Sequence, residues 1–129
     1  MMQATTMLFV KDVEATSRWY QEFLGLKSGH GGAEFEMLFS GEDLFLQLHL
    51  IEPGHHDHEV STEDPLGHGV VIVVYLDDAA SLYEQAKKLQ LTLLSELHFN
   101  EIANMDEFVV RDPNGYSLML CQSHWKGSQ

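Results

Sequence analysis

Histidines are the residues of this sequence best suited to metal binding or acid–base chemistry, and three of them are clustered. His55, His56 and His58 lie together with Asp57 and Glu59. Imidazole and carboxylate groups bind ions such as Zn, Fe, Ni and Mn. Neighbouring side chains in a flexible acidic segment do not hold a preorganised coordination geometry, however. We therefore interpret this cluster as a surface histidine tract that binds Zn or Ni only adventitiously.

His49 is better placed, because it lies in an alternating segment with Gln47. Residues two apart on a strand point to the same face, so both side chains share one side of the predicted strand. On that side His49 would hydrogen-bond a ligand or act as a base. The alternative is a half-exposed strand histidine without a function. Three further histidines show no partner in the sequence: His30, His98 and His124.

Composition excludes several classes of partner. The 129 residues are 44% hydrophobic, which fits one compact domain, and their formal charge of −13 would repel nucleic acids and anionic membranes. The longest apolar run, 70–76, is far shorter than the roughly 20 residues of a membrane span. The first residues lack the pattern of a secretory signal, and Cys121 has no second cysteine to pair with. We expect a cytoplasmic protein in which Cys121 is a buried structural residue; a nucleophilic pair with His49 is the unsupported alternative.

The elements that would position these residues begin with a strand and a helix. Residues 5–10 are strand-like, Asp12 can cap a helix over about 13–24, and Gly25 can end it. One stripe of this helix is predicted to be core: Thr16, Trp19, Tyr20, Phe23 and Leu24. The rest of this half is a predicted hairpin with a turn of about four residues: strand 35–39, turn 40–43 and strand 44–51.

The second half repeats this order of elements. Residues 53–65 contain two prolines and a glycine with almost nothing apolar, which predicts an exposed linker. Beyond it we expect a strand, a helix that starts at Asp77 or Asp78, and three more strands: 69–76, about 79–89, 92–97, 107–111 and 116–122. The repeat has an offset of 65 residues when Val10, Asp12 and Leu24 are matched with Tyr75, Asp77 and Leu89.

Motifs at both ends of the chain resemble those of a known superfamily. Residues 8–26 are similar to the opening pattern of the glyoxalase/bleomycin-resistance/extradiol-dioxygenase (vicinal oxygen chelate) superfamily: a strand, V-x-D, a helix, an aromatic residue before Tyr, and Leu-Gly-hydrophobic. Residues 108–120 resemble its closing hairpin, F-x-x-x-D-P-x-G. These motifs build a helix cap, a core and a tight turn rather than a catalytic site. The resemblance therefore identifies a fold and leaves the activity open.

The implied fold class is α+β, with two βαβββ modules whose mixed sheets form a barrel-like concave cavity. The chain would be one domain over 1–129, with module one at about 4–52, a linker at about 53–66 and module two at about 67–123. By resemblance, the strand faces that turn away from the helices line the cavity. The residues expected there are Thr5, Met7, Phe9, Gln47, His49, Ser117 and Met119.

Metal-dependent members of the superfamily hold a divalent ion through His, Gln or Glu side chains on the first and last strands of each module. The matching positions in this sequence are Thr5, Gln47, Val70 or Val71, and Met119. Only Gln47 among them is a ligand for such ions, and a weak one. His68 lies two or three residues too early, so it is expected to be a loop residue unless a bulge brings it inward.

These observations favour a metal-free small-molecule-binding protein of the bleomycin-resistance type, with no cofactor expected. The alternative is a metal-dependent lyase, isomerase or dioxygenase that uses a displaced ligand set of Gln47, His49 and His68. A third interpretation, an enzyme subunit or interaction module without a ligand, requires a cavity filled by its own side chains. The sequence leaves open whether the protein is an enzyme.

We also expect a homodimer. Single-domain chains of this length in the superfamily commonly pair, and two-fold symmetry is the commonest closed arrangement. Large aromatic residues anchor interfaces, so the candidates for the contact are Phe9, Trp19 and Trp125.

Overall fold

The computed structural model describes residues 1–52 and 60–124, and its contacts divide the chain into two compact units. Unit 1 is Met1–Leu66 and unit 2 is Gly67–Gln129. Each unit contains a helix and a four-stranded mixed sheet in the order strand, helix, strand, strand, strand. The predicted α+β class with two βαβββ modules is therefore confirmed, and neither sheet closes on itself.

Unit 1 contains five elements: β1 (Thr6–Val10), α1 (Val13–Leu24), β2 (Lys27–Ser28), β3 (Phe35–Ser40) and β4 (Asp43–Leu50). The strand order in the sheet is β1-β4-β3-β2, with β1 parallel to β4 and the other pairs antiparallel. The parallel pair needs a long crossover connection, and α1 begins that connection on one face of the sheet.

Helix α1 begins and ends as the sequence predicts. The Asp12 carboxylate accepts a hydrogen bond from Ala15 N at 2.9 Å, and Gly25 ends the helix in the left-handed region with φ of 70°. The predicted core stripe is right for three of its residues, which are buried: Thr16, Tyr20 and Phe23. Trp19 and Leu24 are only half-buried, because they lie at the margins of the stripe. Ser17 is buried although the pattern did not predict it.

The hairpin between β3 and β4 is tighter than the predicted four-residue turn. Pairing continues to Ser40 opposite Asp43, so the connection is only Gly41 and Glu42. Gly41 has φ of 61°, which a two-residue hairpin turn requires and glycine adopts without strain. A register shift between Leu38 and Phe39 follows. The turn and this register shift together determine which residues of the two strands lie side by side.

Unit 2 repeats the arrangement with β5 (Val71–Tyr75), α2 (Ala79–Lys88), β6 (Thr92–Asn100), β7 (Met105–Arg111) and β8 (Ser117–Ser123). The strand order is β5-β8-β7-β6, again with one parallel pair, β5 and β8. The cap of α2 is Asp78, which accepts from Ser81 N at 3.0 Å. Strand β5 begins and ends 65 residues after β1, which is the predicted offset of the repeat, whereas the cap Asp78 lies 66 residues after Asp12.

Strands β6 and β7 extend beyond the predicted 92–97 and 107–111. Their pairing reaches Asn100 opposite Met105, with register shifts near Ser95. Asn100 accepts hydrogen bonds from Ile102 N at 3.0 Å and Ala103 N at 3.3 Å, and so closes the turn beyond the strand. Backbone pairing and the hydrogen bonds of the Asn100 side chain thus extend the hairpin into residues where alternation of apolar and polar side chains does not predict a strand.

The turn between β7 and β8 is built around Asp112. Its buried carboxylate accepts from three successive backbone N–H groups, of Asn114 at 2.8 Å, Gly115 at 3.0 Å and Tyr116 at 2.9 Å. Gly67 lies against Gly115, where an added Cβ would clash with the Gly115 carbonyl oxygen. The D-P-x-G motif is therefore a structural turn, as its composition indicates.

Each sheet packs one face on its own helix. In unit 1 the buried strand residues include Leu8, Val10, Leu38, Leu46 and Leu48. In unit 2 they include Phe108, Val110, Leu118 and Leu120. Among the described residues, no helix has the length and apolarity needed to cross a membrane.

Candidate functional site

The open face of the unit 1 sheet collects five of the residues predicted to bind a ligand. Met7 lies opposite Gln47, and Phe9 lies opposite His49, on neighbouring strands. Their strand neighbours, such as Leu46 and Leu48, are fully buried on the helix side. The alternation that the sequence predicts for β1 and β4 is therefore present.

Thr5 joins this group through a side-chain hydrogen bond. Gln47 Nε2 donates to Thr5 Oγ1 at 2.7 Å. Thr5 directly precedes β1 and Gln47 lies in the middle of β4, so the β1–β4 pairing brings them together.

A row of rings crosses the same face, and we call it the ring row: Phe9, His49, Phe35 and His30. The ring centroids of Phe9 and His49 are 5.2 Å apart, those of His49 and Phe35 are 6.4 Å apart, and those of Phe35 and His30 are 5.1 Å apart. The planes are tilted or perpendicular, which are favourable arrangements for aromatic pairs. Phe35 and His30 were not predicted from the sequence. Regular pairing from Ser40 and Asp43 would place Phe35 opposite Leu48, and only the register shift between Leu38 and Phe39 brings it opposite His49.

Both imidazoles of the ring row have the same tautomer in their neutral form. His49 Nδ1 lies 2.8 Å from Leu50 O, and His30 Nδ1 lies 2.6 Å from Gly31 O. A carbonyl oxygen only accepts hydrogen bonds, so Nδ1 carries the hydrogen in each ring. The neutral rings therefore present Nε2 as the accepting and basic nitrogen.

Glu36, on the helix side of β3, holds the loop that carries His30. Its Oε1 accepts from the backbone N–H groups of His30 at 3.2 Å, Gly31 at 2.8 Å and Met37 at 2.9 Å. Its Oε2 accepts from the hydroxyls of Ser17 at 2.9 Å and Ser28 at 2.7 Å. We call these groups the Glu36 clamp.

Burial tends to raise the pKa of Glu36, but the clamp reverses that effect. Hydrogen bonds from Gly31 N, Ser28, Ser17 and His30 N stabilise the carboxylate, so the pKa of Glu36 is lowered overall. A pocket of about 160 Å³ lies beside the clamp, lined by Glu14, Ser17, Arg18, Gln21, Gly31, Gly32 and Glu36. Because the Glu36 oxygens already accept five hydrogen bonds, we assign the carboxylate a role in fixing the loop.

The open face of unit 2 has a different character. Ser117 and Met119 are half-buried, and they lie opposite Val71 and Val73 of β5. Cys121 follows on the same face and is fully buried, which raises the pKa of its thiol, with a smaller contribution from the charge of Glu107. A thiol in this state stays protonated at neutral pH, which supports a structural role.

Two histidines in unit 2 have carboxylate partners that the sequence did not predict. His98 Nε2 lies 3.4 Å from Glu107 Oε1, and His124 Nε2 lies 2.9 Å from Asp106 Oδ2. Both pairs join residues on adjacent strands or at a strand end. Their sequence separations are set by bulges and by the extended β6–β7 hairpin, so no short motif could have indicated them.

The metal positions of the superfamily do not fit a metal ion here. The match of Asp78 with Asp12 selects Val71 rather than Val70, so the four positions hold Thr5, Gln47, Val71 and Met119. A hydroxyl already bonded to an amide, an alkyl chain and a thioether are poor ligands for Zn, Fe, Ni or Mn. Within 1–52 and 60–124, no group of three or more His, Cys, Asp or Glu side chains is arranged to hold a metal ion.

His68, the displaced candidate ligand, is exposed in the turn before β5. The cluster formed by His55, His56, Asp57, His58 and Glu59 lies outside the described residues. The structure thus assembles Thr5, Met7, Phe9, Gln47 and His49 on unit 1, and Ser117 and Met119 on unit 2. That all seven line one cavity stays a prediction.

Comparison with known proteins supports the fold. The sequence profile of the glyoxalase/bleomycin resistance protein/dioxygenase superfamily matches residues 3–120. A search among curated proteins finds no matching sequence.

Solved structures with low sequence identity share this architecture. A protein of unknown function from Agrobacterium tumefaciens str. C58 has a TM-score of 0.79 at 18% identity, covering 95% of this chain and 94% of its own. A glyoxalase-related enzyme from Fulvimarina pelagi has a TM-score of 0.77 at 19% identity, covering 95% and 89%. A possible glyoxalase from Bacillus cereus has a TM-score of 0.67 at 16% identity, covering 93% and 97%. At these identities the likeness concerns the fold alone.

Proposed function

Because the chain belongs to the glyoxalase/bleomycin resistance protein/dioxygenase superfamily, we propose that it is a small-molecule-binding protein that works without a metal ion. The ligand contacts in this proposal are Thr5, Met7, Phe9, Gln47, His49, Ser117 and Met119. These side chains are apolar with a few polar tips, which is the usual composition of a small-molecule site.

The observation that carries the proposal is the asymmetry of the unit 1 sheet. Its helix face is closed by fully buried leucines such as Leu46 and Leu48. Its other face presents Phe9, His49 and the bonded pair Thr5 and Gln47, with no carboxylate among these residues. Such a face suits hydrogen bonding and apolar contact with an organic ligand better than coordination of a divalent ion.

Metal analysis is the direct test. We expect tag-free protein to contain substoichiometric metal, and we expect neither Gln47→Ala nor His49→Ala to change that content. A thermal-shift screen should identify ligands that raise the Tm, and both substitutions should reduce the shift. His68→Ala is the control, because this exposed turn residue should alter neither measurement.

The opposite result would favour the alternative function. One tightly held ion per chain, lost in Gln47→Ala, His49→Ala and His68→Ala, would overturn the metal-free proposal. It would instead support a metal-dependent lyase, isomerase or dioxygenase.

The proposal includes a cytoplasmic homodimer. Its support is the apolar side of β5, an edge strand, where Val71, Val73 and Tyr75 are 50%, 45% and 68% exposed. Burying such a surface is the usual driving force for association. Of the aromatic candidates, Trp19 packs on Tyr20 and Phe23 with centroids 4.8 and 5.5 Å apart, and Trp125 lies outside the described residues.

Light scattering checks the dimer. We expect a species of about twice the chain mass of 14.6 kDa. Val73→Lys should shift the equilibrium toward the monomer, because it places a charge in the buried contact. Ile102→Lys is the matched control, since Ile102 is fully exposed in the β6–β7 turn. A single species of 14.6 kDa at every concentration would contradict the proposal.

A further inference from the structure

We infer that the pocket beside the Glu36 clamp binds a small zwitterion of the amino acid class, with the ligand carboxylate on Arg18 and the ligand ammonium group on Glu14. This pocket lies on the helix side of unit 1, whereas the proposed ligand contacts of that unit lie on the open face of the sheet. The inference therefore goes beyond the proposed function and does not depend on it.

The pocket has two walls of different kinds. The first wall is one face of α1, whose lining residues recur every three or four positions: Glu14, Ser17, Arg18 and Gln21. The second wall includes backbone at Gly31 and Gly32, which have φ of 74° and 120° and carry no side chain that could fill the space. The volume of about 160 Å³ is that of about five water molecules, which suits a ligand of a few heavy atoms.

Two of the lining side chains are already engaged. The Glu36 oxygens accept five hydrogen bonds, and a carboxylate has only about four lone-pair sites. Ser17 Oγ donates to Glu36 at 2.9 Å and accepts from Gln21 Nε2 at 2.9 Å. Because the single Ser17 hydroxyl hydrogen goes to Glu36, the Gln21 group beside it must be the amide NH₂. Gln21 Oε1 is then the acceptor that this side chain can offer to a ligand N–H.

Glu14 and Arg18 are the charged groups of the pocket that stay open. Both are exposed, and within residues 1–52 and 60–124 neither side chain makes a hydrogen bond or an ion pair. They are four positions apart on α1, so their Cβ atoms lie about 5–6 Å apart on one face. An anion on Arg18 alone would lie close to the Glu14 carboxylate, and a cation on Glu14 alone would lie close to the Arg18 guanidinium. A molecule with both charges on one carbon atom matches the two groups at once.

The Glu36 clamp holds both walls of the pocket before a ligand arrives. Gly31 N donates to Glu36 Oε1 at 2.8 Å, and Ser17 of α1 donates to Glu36 Oε2 at 2.9 Å. One carboxylate thus ties the glycine segment to the helix. Preorganisation of this kind lowers the entropic cost of binding.

Three probes of nearly equal size separate the two charges: glycine, glycolate and glycinamide. Glycolate keeps the carboxylate and replaces the ammonium group with a hydroxyl, whereas glycinamide keeps the ammonium group and has no carboxylate. Titration of the full chain at constant ionic strength, followed by NMR, should show glycine binding about ten-fold tighter than either analogue, because each analogue loses one charge-assisted contact. The shifted resonances should belong to α1 and to residues 31–36.

Two variants assign the charges to residues. Arg18→Met should weaken the binding of glycine and glycolate about ten-fold and leave glycinamide unchanged. Glu14→Gln should weaken glycine and glycinamide by a similar factor and leave glycolate unchanged. The probe that keeps its affinity shows that each variant still folds. Matched controls are Arg111→Met at the end of β7 and Glu22→Gln on α1, since both residues are exposed outside the pocket and should change no affinity.

Equal affinities for glycine and either analogue would overturn the inference, because one charge would then suffice. Losses in Arg18→Met and Glu14→Gln no larger than those in the two controls would overturn it as well. The absence of shifts with all three probes, or shifts confined to the open face of the sheet, would show that this pocket is not the site. The proposed function would survive each of these results, since its own test uses Gln47 and His49.

Discussion

Replacing Glu36 with leucine is expected to lower the free energy of unfolding by about 3 kcal/mol, because five donors, among them the buried hydroxyl of Ser17, lose their acceptor. The carboxylate accepts from three backbone N–H groups and from the hydroxyls of Ser17 and Ser28. Leucine has a similar volume, so the loss reports the hydrogen bonds rather than a cavity. Urea denaturation measures this loss in the free energy of unfolding. Glu34→Leu, an exposed glutamate two residues earlier, is the control and should change stability by less than about 0.5 kcal/mol.

The effect of Glu36 should depend on pH in a defined direction. Because the pKa of Glu36 is lowered in the folded protein, its carboxylate adds stability above the ordinary value of 4.5, and this stability is lost as the pH falls through the folded pKa. The difference in unfolding free energy between the wild type and Glu36→Gln, which does not titrate, should therefore shrink between pH 7 and pH 3. A difference that stays constant over this range would show that Glu36 is not held as a carboxylate.

Asp112→Ala should also destabilise the protein by about 3 kcal/mol, because three backbone N–H groups at the β7–β8 turn lose one shared acceptor. Asp112→Asn keeps an accepting oxygen and should cost about 1 kcal/mol. Asp77→Ala, which truncates an exposed aspartate, is the control. Chemical denaturation of the three variants measures the free energy of unfolding of each and so ranks the three losses. Equal losses for Asp112→Ala and Asp77→Ala would mean that the turn does not depend on this carboxylate.

The sequence was most informative where structure depends on neighbouring residues. Asp12, Gly25 and Asp112 were predicted correctly as helix cap, helix stop and turn residue, because each acts within four positions along the chain. Alternation in β4 likewise separated Gln47 and His49 from the buried leucines. Such signals depend on local geometry alone.

Features that depend on register were missed. The ring row needs the alignment of Phe35 with His49, which arises from the register shift between Leu38 and Phe39 and has no signal in the sequence. The Glu36 clamp needs the 28–31 loop to fold back over β3, and a glutamate in an apolar strand gives no hint of its five donors. The match of the helix cap with Asp77 was wrong by one residue, because Asp77 and Asp78 are adjacent candidates for one cap, and only the hydrogen bond from Ser81 N decides between them.

Each parallel strand pair, β1–β4 and β5–β8, lies within a single unit. The same is true of every antiparallel pair among the described residues. The connection near Val60 to Leu66 thus joins two sheets whose ladders are complete without it. A circular permutant that begins at Gly67 and joins its original ends by a flexible linker would break no strand pair. Strand pairing therefore does not require the order of the two halves along the chain, whereas it does require the strands inside each half.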